Sequence, residues 1–262
     1  MMLEPRNMSR CAFSTKVMAL IGAILFLSFS QLVFANDNIF IHAVKNDDID
    51  LIGYLAKSRN NIDLSDRSGK TALMVAAKAG DSELVKQLLD KGAQADKTNN
   101  NGGSAIMFAC INGDIKTVQL LLQTGVEVNA RGSNGWGALM IASAKGHAEV
   151  VRMLMDNGAD VNTADVYDWT PLHRASFENN EQVIKLLLTA AELHLDARDD
   201  QGATALHHAA IQGNHEISRL LIEKGASVQA IDLDGHTPIN YAQKNGFDDL
   251  AALMNTSAGV TN

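Results

Sequence analysis

The sequence predicts an all-α solenoid, a row of similar helix pairs, on three observations. The first is a period. Aligned on one another, "SGKTALMVAAKAG", "NGGSAIMFACING", "NGWGALMIASAKG", "YDWTPLHRASFEN", "QGATALHHAAIQG" and "DGHTPINYAQKNG" place Gly69, Gly102, Gly135, Asp168, Gly202 and Gly235 in one column, at steps of 33, 33, 33, 34 and 33 residues. The second is a pair of apolar stripes at helical spacing in each step, such as Leu73, Ala76 and Ala77 followed by Leu84, Val85, Leu88 and Leu89. The third is cap chemistry at the stripe ends, hydroxyls before and glycines after. A unit this short cannot bury two stripes alone. Stacking on neighbours buries them, so stability becomes a sum of unit and interface terms.

The first 35 residues stand apart from the repeat. Arg6, Arg10 and Lys16 precede the apolar run "VMALIGAILFLSF", and "SQLVFA" follows with small or β-branched residues at Val33 and Ala35, the layout of a secretory signal. Residues 17–35 are also long enough to cross a bilayer as an uncleaved anchor, although Ser28, Ser30 and Gln31 interrupt the run. Both readings place the remainder outside the cytoplasm, because the cations lie before the run and Asp37, Asp47, Asp48 and Asp50 after it. Cys11 precedes the apolar run and does not end it, so no lipoprotein signal is present.

Residues 1–35 hold Arg6, Arg10, Lys16 and Glu4, so without them the 22 basic and 30 acidic residues become 19 and 29, a balance of −10. That sign disfavours nucleic acid and anionic membrane surfaces as partners. Of the two cysteines only Cys110 lies beyond this segment, so no disulfide can staple the fold. Export without cysteine pairs points to a bacterial periplasm, with extracellular secretion as the alternative.

One period before Gly69 lies Asn36, and "NIFIHAVKNDDIDLIGYL" reads as a degenerate first unit, a cap over residues 36–66. Six units follow over 67–254, and 255–262 read as a disordered tail. In each, a first helix starts at a hydroxyl column, Thr71, Ser104, Thr170, Thr204 and Thr237, which accepts from free first-turn amides. Pro171 and Pro238 take the first helical position. Gly80, Gly113, Gly146 and Gly213 end that helix, with Asn179 in the fifth unit, a residue that tolerates the left-handed C-cap. The second helix repeats its stripe as Val150, Val151, Leu154 and Met155, then Val183, Ile184, Leu187 and Leu188. It closes on turns such as "KGAQAD" and "NGADVN".

The period, "TPLHRA", "TALHHAA" and "GADVN" resemble the ankyrin repeat across residues 38–254. The resemblance implies a curved stack of about seven units, with fingers and first helices on the concave side. It further implies a non-catalytic scaffold that binds another protein. Units two to four depart from the pattern with Met74, Met107 and Met140 where the family usually has histidine. His173 and His207 occupy that position and are implied to bond back to the turn backbone. The fifth unit lacks both glycines, and "TAAELHLDARD" holds one extra residue, so the fifth-to-sixth junction is expected to stack at a different angle.

With the columns aligned, the outward positions can be read. The residue after the turn glycine runs Lys70, Gly103, Trp136, Trp169, Ala203, His236, and the residue before it includes Tyr167. On the first helix, one column runs His42, Val75, Phe108, Ile141, Arg174, His208, Tyr241, and another Lys78, Ile111, Ala144, Phe177, Ile211, Lys244. Under the family geometry these lie side by side on the concave face. The expected protein-binding residues are therefore Trp136, Trp169, Tyr167, Phe108, Ile141, Arg174, Phe177, His208 and Tyr241, an aromatic centre with a polar rim. Arg174 and His208 are expected to be exposed, whereas Ile111, Ile141 and Ile211 suit partial burial equally well. Trp136 and Trp169 read either as two prongs for a partner or as rings packed on each other to stiffen the stack.

Catalytic and metal chemistry find little support. His207, His208 and His215 are close in sequence, but a structural zinc site needs four converging ligands. Cys110 falls in a column otherwise filled by Ala77, Ser143, Ser176 and Ala210 and reads as a small core residue. "NNNGGSA" is a repeat turn without the strand and lysine of a phosphate loop. No cofactor or metal is expected, and the chain is expected to act as a monomer.

Overall fold

The computed structural model describes residues 29–57 and 61–257. Seven helix pairs follow one another: α1 (Phe29–Lys45) and α2 (Ile49–Ala56); α3 (Ala72–Ala79) and α4 (Ser82–Asp90); α5 (Ala105–Asn112) and α6 (Ile115–Leu122); α7 (Ala138–Lys145) and α8 (Ala148–Asp156); α9 (Pro171–Phe177) and α10 (Glu181–Leu187); α11 (Ala205–Ile211) and α12 (His215–Glu223); α13 (Pro238–Lys244) and α14 (Asp248–Ser257). The fold is the all-α repeat solenoid that the period predicts. First helices α3 to α13 pack each on the next, second helices α4 to α14 form a parallel row, and α2 covers both helices of the second unit.

The cap chemistry explains where helices start and stop. Thr71, Thr170 and Thr237 accept the amide of the third helical residue, and Asp48, Asp81, Asp114 and Asn214 do the same for second helices. The hydroxyl column fails at Ser104, whose buried Oγ has no partner, and Gly137 holds its place in unit four. Asn179 takes the left-handed conformation at φ 58°, as the C-cap requires. Asp168 does so too, at φ 58° in the glycine column. The fifth unit therefore keeps the turn geometry without either glycine.

The stripes meet between units. Leu88, Leu121, Leu154, Leu187 and Leu221 are fully buried along the second-helix row. Cys110 lies inside the core, where burial pushes its thiol pKa up. The hairpin fingers between pairs are joined by backbone hydrogen bonds at every step: the amides of Asn100, Ser133, Val166, Asp200 and Leu233 donate to the carbonyls of Ser68, Asn101, Asn134, Tyr167 and Gln201 at 2.8–3.2 Å. The fifth-to-sixth junction keeps this bond, so the extra residue of "TAAELHLDARD" is absorbed before the finger without loss of register. At the other end of the first helices, Asn180 donates to the carbonyls of Ser143 and Ala144.

Two buried histidines add a further tie. Thr170 N–H donates to His173 Nδ1 at 3.1 Å, so the ring proton is on Nε2, which donates to the Ala203 carbonyl of the next unit at 3.2 Å. His207 repeats this between Thr204 and the His236 carbonyl. The same rings close capping boxes on Thr170 and Thr204. Burial, with His208 nearby, lowers the His173 pKa from 6.5 to about 4, and burial lowers that of His207.

Helix α1 runs continuously from Phe29 through Ala35, and α14 continues past residue 254 to Ser257. Residues 1–28, on which most of the expected secretory signal falls, and residues 258–262 of the expected tail lie outside the described residues. Among the described residues no helix is long and apolar enough to cross a membrane.

Because His173 is bound neutral, the unfolded chain takes up a proton that the folded chain refuses between pH 6.5 and about 4. Its contribution is complete above pH 6.5 and is lost as pH falls through that window, about 2 kcal/mol of it by pH 5. Urea unfolding at pH 7 and pH 5 should show this loss in the wild type. A His173→Met, His207→Met variant, copying units two to four, should lose clearly less; an equal loss in both would contradict the assignment.

Candidate protein-binding face

Each finger is organised by the residue three places before its turn glycine. In unit five, Asp165 Oδ1 accepts the amides of Tyr167 and Trp169. Asp199 does so for Gln201 and Ala203, Asp232 for Asp234 and His236, Asp66 for Ser68 and Lys70, and Asn99 for Asn101 and Gly103. Gly132 holds this position in unit four and has no side chain to offer.

The second carboxylate oxygen reaches the first helix nine residues later. Asp165 Oδ2 accepts from Arg174 Nη2 at 2.5 Å, Asp199 Oδ2 meets His208 Nε2 at 2.8 Å, and Asp232 Oδ2 accepts the Tyr241 hydroxyl at 2.6 Å. In units two to four the nine-residue pairs are Asp66 with Val75, Asn99 with Phe108 and Gly132 with Ile141, none of which can close such a brace. Those three fingers also form the isolated β-bridges Ser65–Thr71, Thr98–Ser104 and Arg131–Gly137. All six fingers are closed by a backbone hydrogen bond, from the amides of Asp66, Asn99, Gly132, Asp165, Asp199 and Asp232 to the carbonyl four residues on, and those of the second half are braced by side chains as well.

The braces set the acid–base character of the second half. Burial alone would raise the Asp199 carboxyl, but the His208 hydrogen bond and the Ala203 and Gln201 amides hold it below the ordinary aspartate range. For Asp232 the Tyr241 hydroxyl and backbone amides likewise outweigh burial. The same hydrogen bond pushes the Tyr241 pKa up to about 12, so the phenol remains a donor.

At the centre the braces carry a stack of rings. The Arg174 guanidinium lies 4.6 Å from the Trp136 ring centroid and 4.2 Å from that of Trp169. The other neighbour of Trp169 is His208, with ring centroids 4.2 Å apart, and Phe177 meets Trp169 edge-on at 5.5 Å. Trp136 Nε1–H donates to Asp165 Oδ2, the oxygen that also holds Arg174. The order Trp136, Arg174, Trp169, His208 therefore bridges units four, five and six. A cation between two rings adds about 0.5–2 kcal/mol per face in a partly desolvated setting.

This geometry corrects two sequence expectations, the exposure of His208 and that of Arg174. His208 is buried, 7% exposed, because Asp199 and Trp169 cover it. Arg174 is half-buried between the rings and not free in solvent. For Ile141, where the sequence left both exposure and burial open, the structure shows burial at 8% exposed. The two tryptophans neither stand free nor pack directly on each other, since Arg174 separates them.

Of the remaining expected residues, Phe108, Tyr241, Trp136 and Trp169 are half-buried, while Tyr167 and Phe177 are exposed. The residues missed by sequence reading are the acids Asp165, Asp199 and Asp232 and the exposed apolar finger residues Val166, Ile231 and Leu233. The acids were visible as an aligned column, with a polar partner nine residues on. Among the described residues one constellation, Asp232, Asp234 and His236, brings three potential metal ligands together. Its geometry is that of the finger turn, because Asp232 already accepts the amides of the other two and the Tyr241 hydroxyl.

Stacked helix pairs with hydrogen-bonded fingers define a solenoid repeat protein. The family model for ankyrin repeats matches in three copies, over residues 40–132, 128–199 and 189–261, and the chain belongs to the ankyrin repeat family. A crystal structure of the human ASB11 ankyrin repeat domain is similar in fold, with a TM-score of 0.71 and 24% identity over 82% of this chain and 96% of that one. No curated protein matches the sequence significantly.

Replacing Asp165 with alanine leaves Arg174 without its anion and Trp136 Nε1 without an acceptor, and should cost about 2–4 kcal/mol in urea unfolding. The pair Asp165→Gly with Arg174→Ile, copying Gly132 and Ile141, should recover part of that loss in a double-mutant cycle. Strict additivity of the single changes would show that the brace is not a coupled unit.

Proposed function

We propose that this protein is a non-catalytic scaffold that binds another protein through its fingers and first helices, outside the cytoplasm. Repeats of this family generally mediate protein–protein contacts, and the proposal gives that role a surface. One observation carries it. Of the eight exposed large apolar residues among the described ones, six lie on fingers or first helices: Ile111, Val166, Tyr167, Phe177, Ile231 and Leu233. Exposed apolar and aromatic groups beside a polar rim suit an interface centre. The stack beneath them, from Trp136 to His208, holds this surface preformed, so a partner would meet little backbone change.

A catalytic reading has less support, since the one cysteine of the repeat region is buried and its thiol is pushed away from ionisation. Export rests on the sequence layout of residues 1–35, and N-terminal sequencing of the mature chain tests it. A start at Asn36 would divide helix α1 while leaving its buried residues Phe40, Ala43 and Val44 in place.

A photo-crosslinker at position 167 should capture a partner from the exported compartment, and one at position 219, exposed on helix α12, should not. A Tyr167→Ala, Phe177→Ala variant should weaken binding of the captured partner by about 2 kcal/mol or more. Capture through position 219 alone would contradict the assignment of the face.

A further inference from the structure

The same face is electrically polarised along the stack. Over the fingers and first helices of units two to four, residues 65–79, 98–112 and 131–145, the charged groups are Arg67, Lys70, Lys78, Arg131 and Lys145 against the single acid Asp66. Lys70 and Lys78 both reach Asp47 of the first unit, at 2.6 and 3.7 Å, which leaves this half positive. Over the equivalent residues 164–178, 198–212 and 231–245 the balance reverses. Asp165 is matched by Arg174, and Asp199 and Asp232 are held by His208 and Tyr241. Asp168, Glu178, Asp200 and Asp234 are exposed. The other cations there are Lys244 at the far end and Arg198, tied to the Gly202 and Ile231 carbonyls. In unit five, where the acidic half begins, lie the exposed side chains of Val166, Tyr167 and Phe177.

Packed helices stand about 8–10 Å apart, so neighbouring units are separated by about one screening length at physiological salt. Each half therefore acts on the charge directly above it, and the net charge of the whole chain does not decide what binds. A uniformly acidic partner would gain over one half and lose over the other, and so would a uniformly basic one.

We propose that this face takes one continuous segment of a partner protein, apolar or aromatic at its centre, acidic where it lies over units two to four and basic where it lies over units five to seven. This rests on the reading that the fingers and first helices form the binding face. The distance from Arg67 to Asp234 spans five unit steps, about 50 Å, which an extended segment of about fifteen residues covers.

Four synthetic peptides of that length with a shared aromatic centre test this on the full chain, read by fluorescence of Trp136 and Trp169, its two tryptophans. One carries a glutamate block and a lysine block, one the same charges alternating, one only glutamates and one only lysines. The block peptide should bind about tenfold more tightly than each of the others at physiological salt, with the advantage shrinking at high salt. A nitroxide on its lysine end should broaden the Gly202 and Gly235 amides, and one on its glutamate end those of Gly69 and Gly102. The variant Asp200→Lys, Asp234→Lys should weaken the block peptide and strengthen the all-glutamate one. Equal affinity of all four peptides, lost on Tyr167→Ala and Phe177→Ala, would overturn the polarity and leave the binding face standing. A lysine-end nitroxide that broadens Gly69 would overturn it as well. Crosslinking of a natural partner through position 219 alone would instead remove the face itself.

Discussion

Everything in this molecule depends on the fact that no helix pair can hide its own apolar faces. Leu88, Leu121, Leu154 and Leu187 are fully buried only because the next pair covers them. That requirement fixes the helices in two rows, and the rows in turn bring the fingers close enough for an amide of each to donate to a carbonyl of the one before it. The line of fingertips, and with it the proposed binding face, is a consequence of packing that takes place behind it.

The two halves of the stack meet this constraint by different chemistry. Units two to four fill the first-helix position with Met74, Met107 and Met140 and lack the nine-residue brace. Units five to seven place polar residues there, His173, His207 and Asn240, and add the braces from Asp165, Asp199 and Asp232. Polar groups inside a stack stabilise it only when they have partners: the turn backbone supplies them to His173, His207 and Asn240, and an oxygen of each finger acid to Arg174, His208 and Tyr241. Rigidity at the aromatic centre is therefore bound to polar and titratable partners, whereas the same first-helix positions of units two to four, Val75, Phe108 and Ile141, are apolar.

Much of the fold was legible in the sequence because the repeat supplied it six times over. The period, both stripes, the caps and even the left-handed turns at Asp168 and Asn179 could be read from aligned columns, since each is a local demand of the backbone. The surface was less legible. His208 looked like a solvent-facing residue, and its burial comes from Asp199, nine residues back, and from a tryptophan in the preceding unit. Trp136 and Trp169 suggested either two prongs or a stacked pair. The guanidinium between them belongs to a different column, and only the rise of the stack brings the three together. Exposure at such positions is a property of neighbouring units, which no single unit's sequence contains.

The register of the fingers carries the whole account, and amide hydrogen exchange tests it most directly. The amides of Asn100, Ser133, Val166, Asp200 and Leu233 sit at exposed fingertips, yet each donates to the preceding finger. They should exchange far more slowly than an unstructured chain, with all five protected together as parts of one stack. Exchange at the unstructured rate in these five, with the helices still protected, would show that the fingers are not joined and that no continuous face exists.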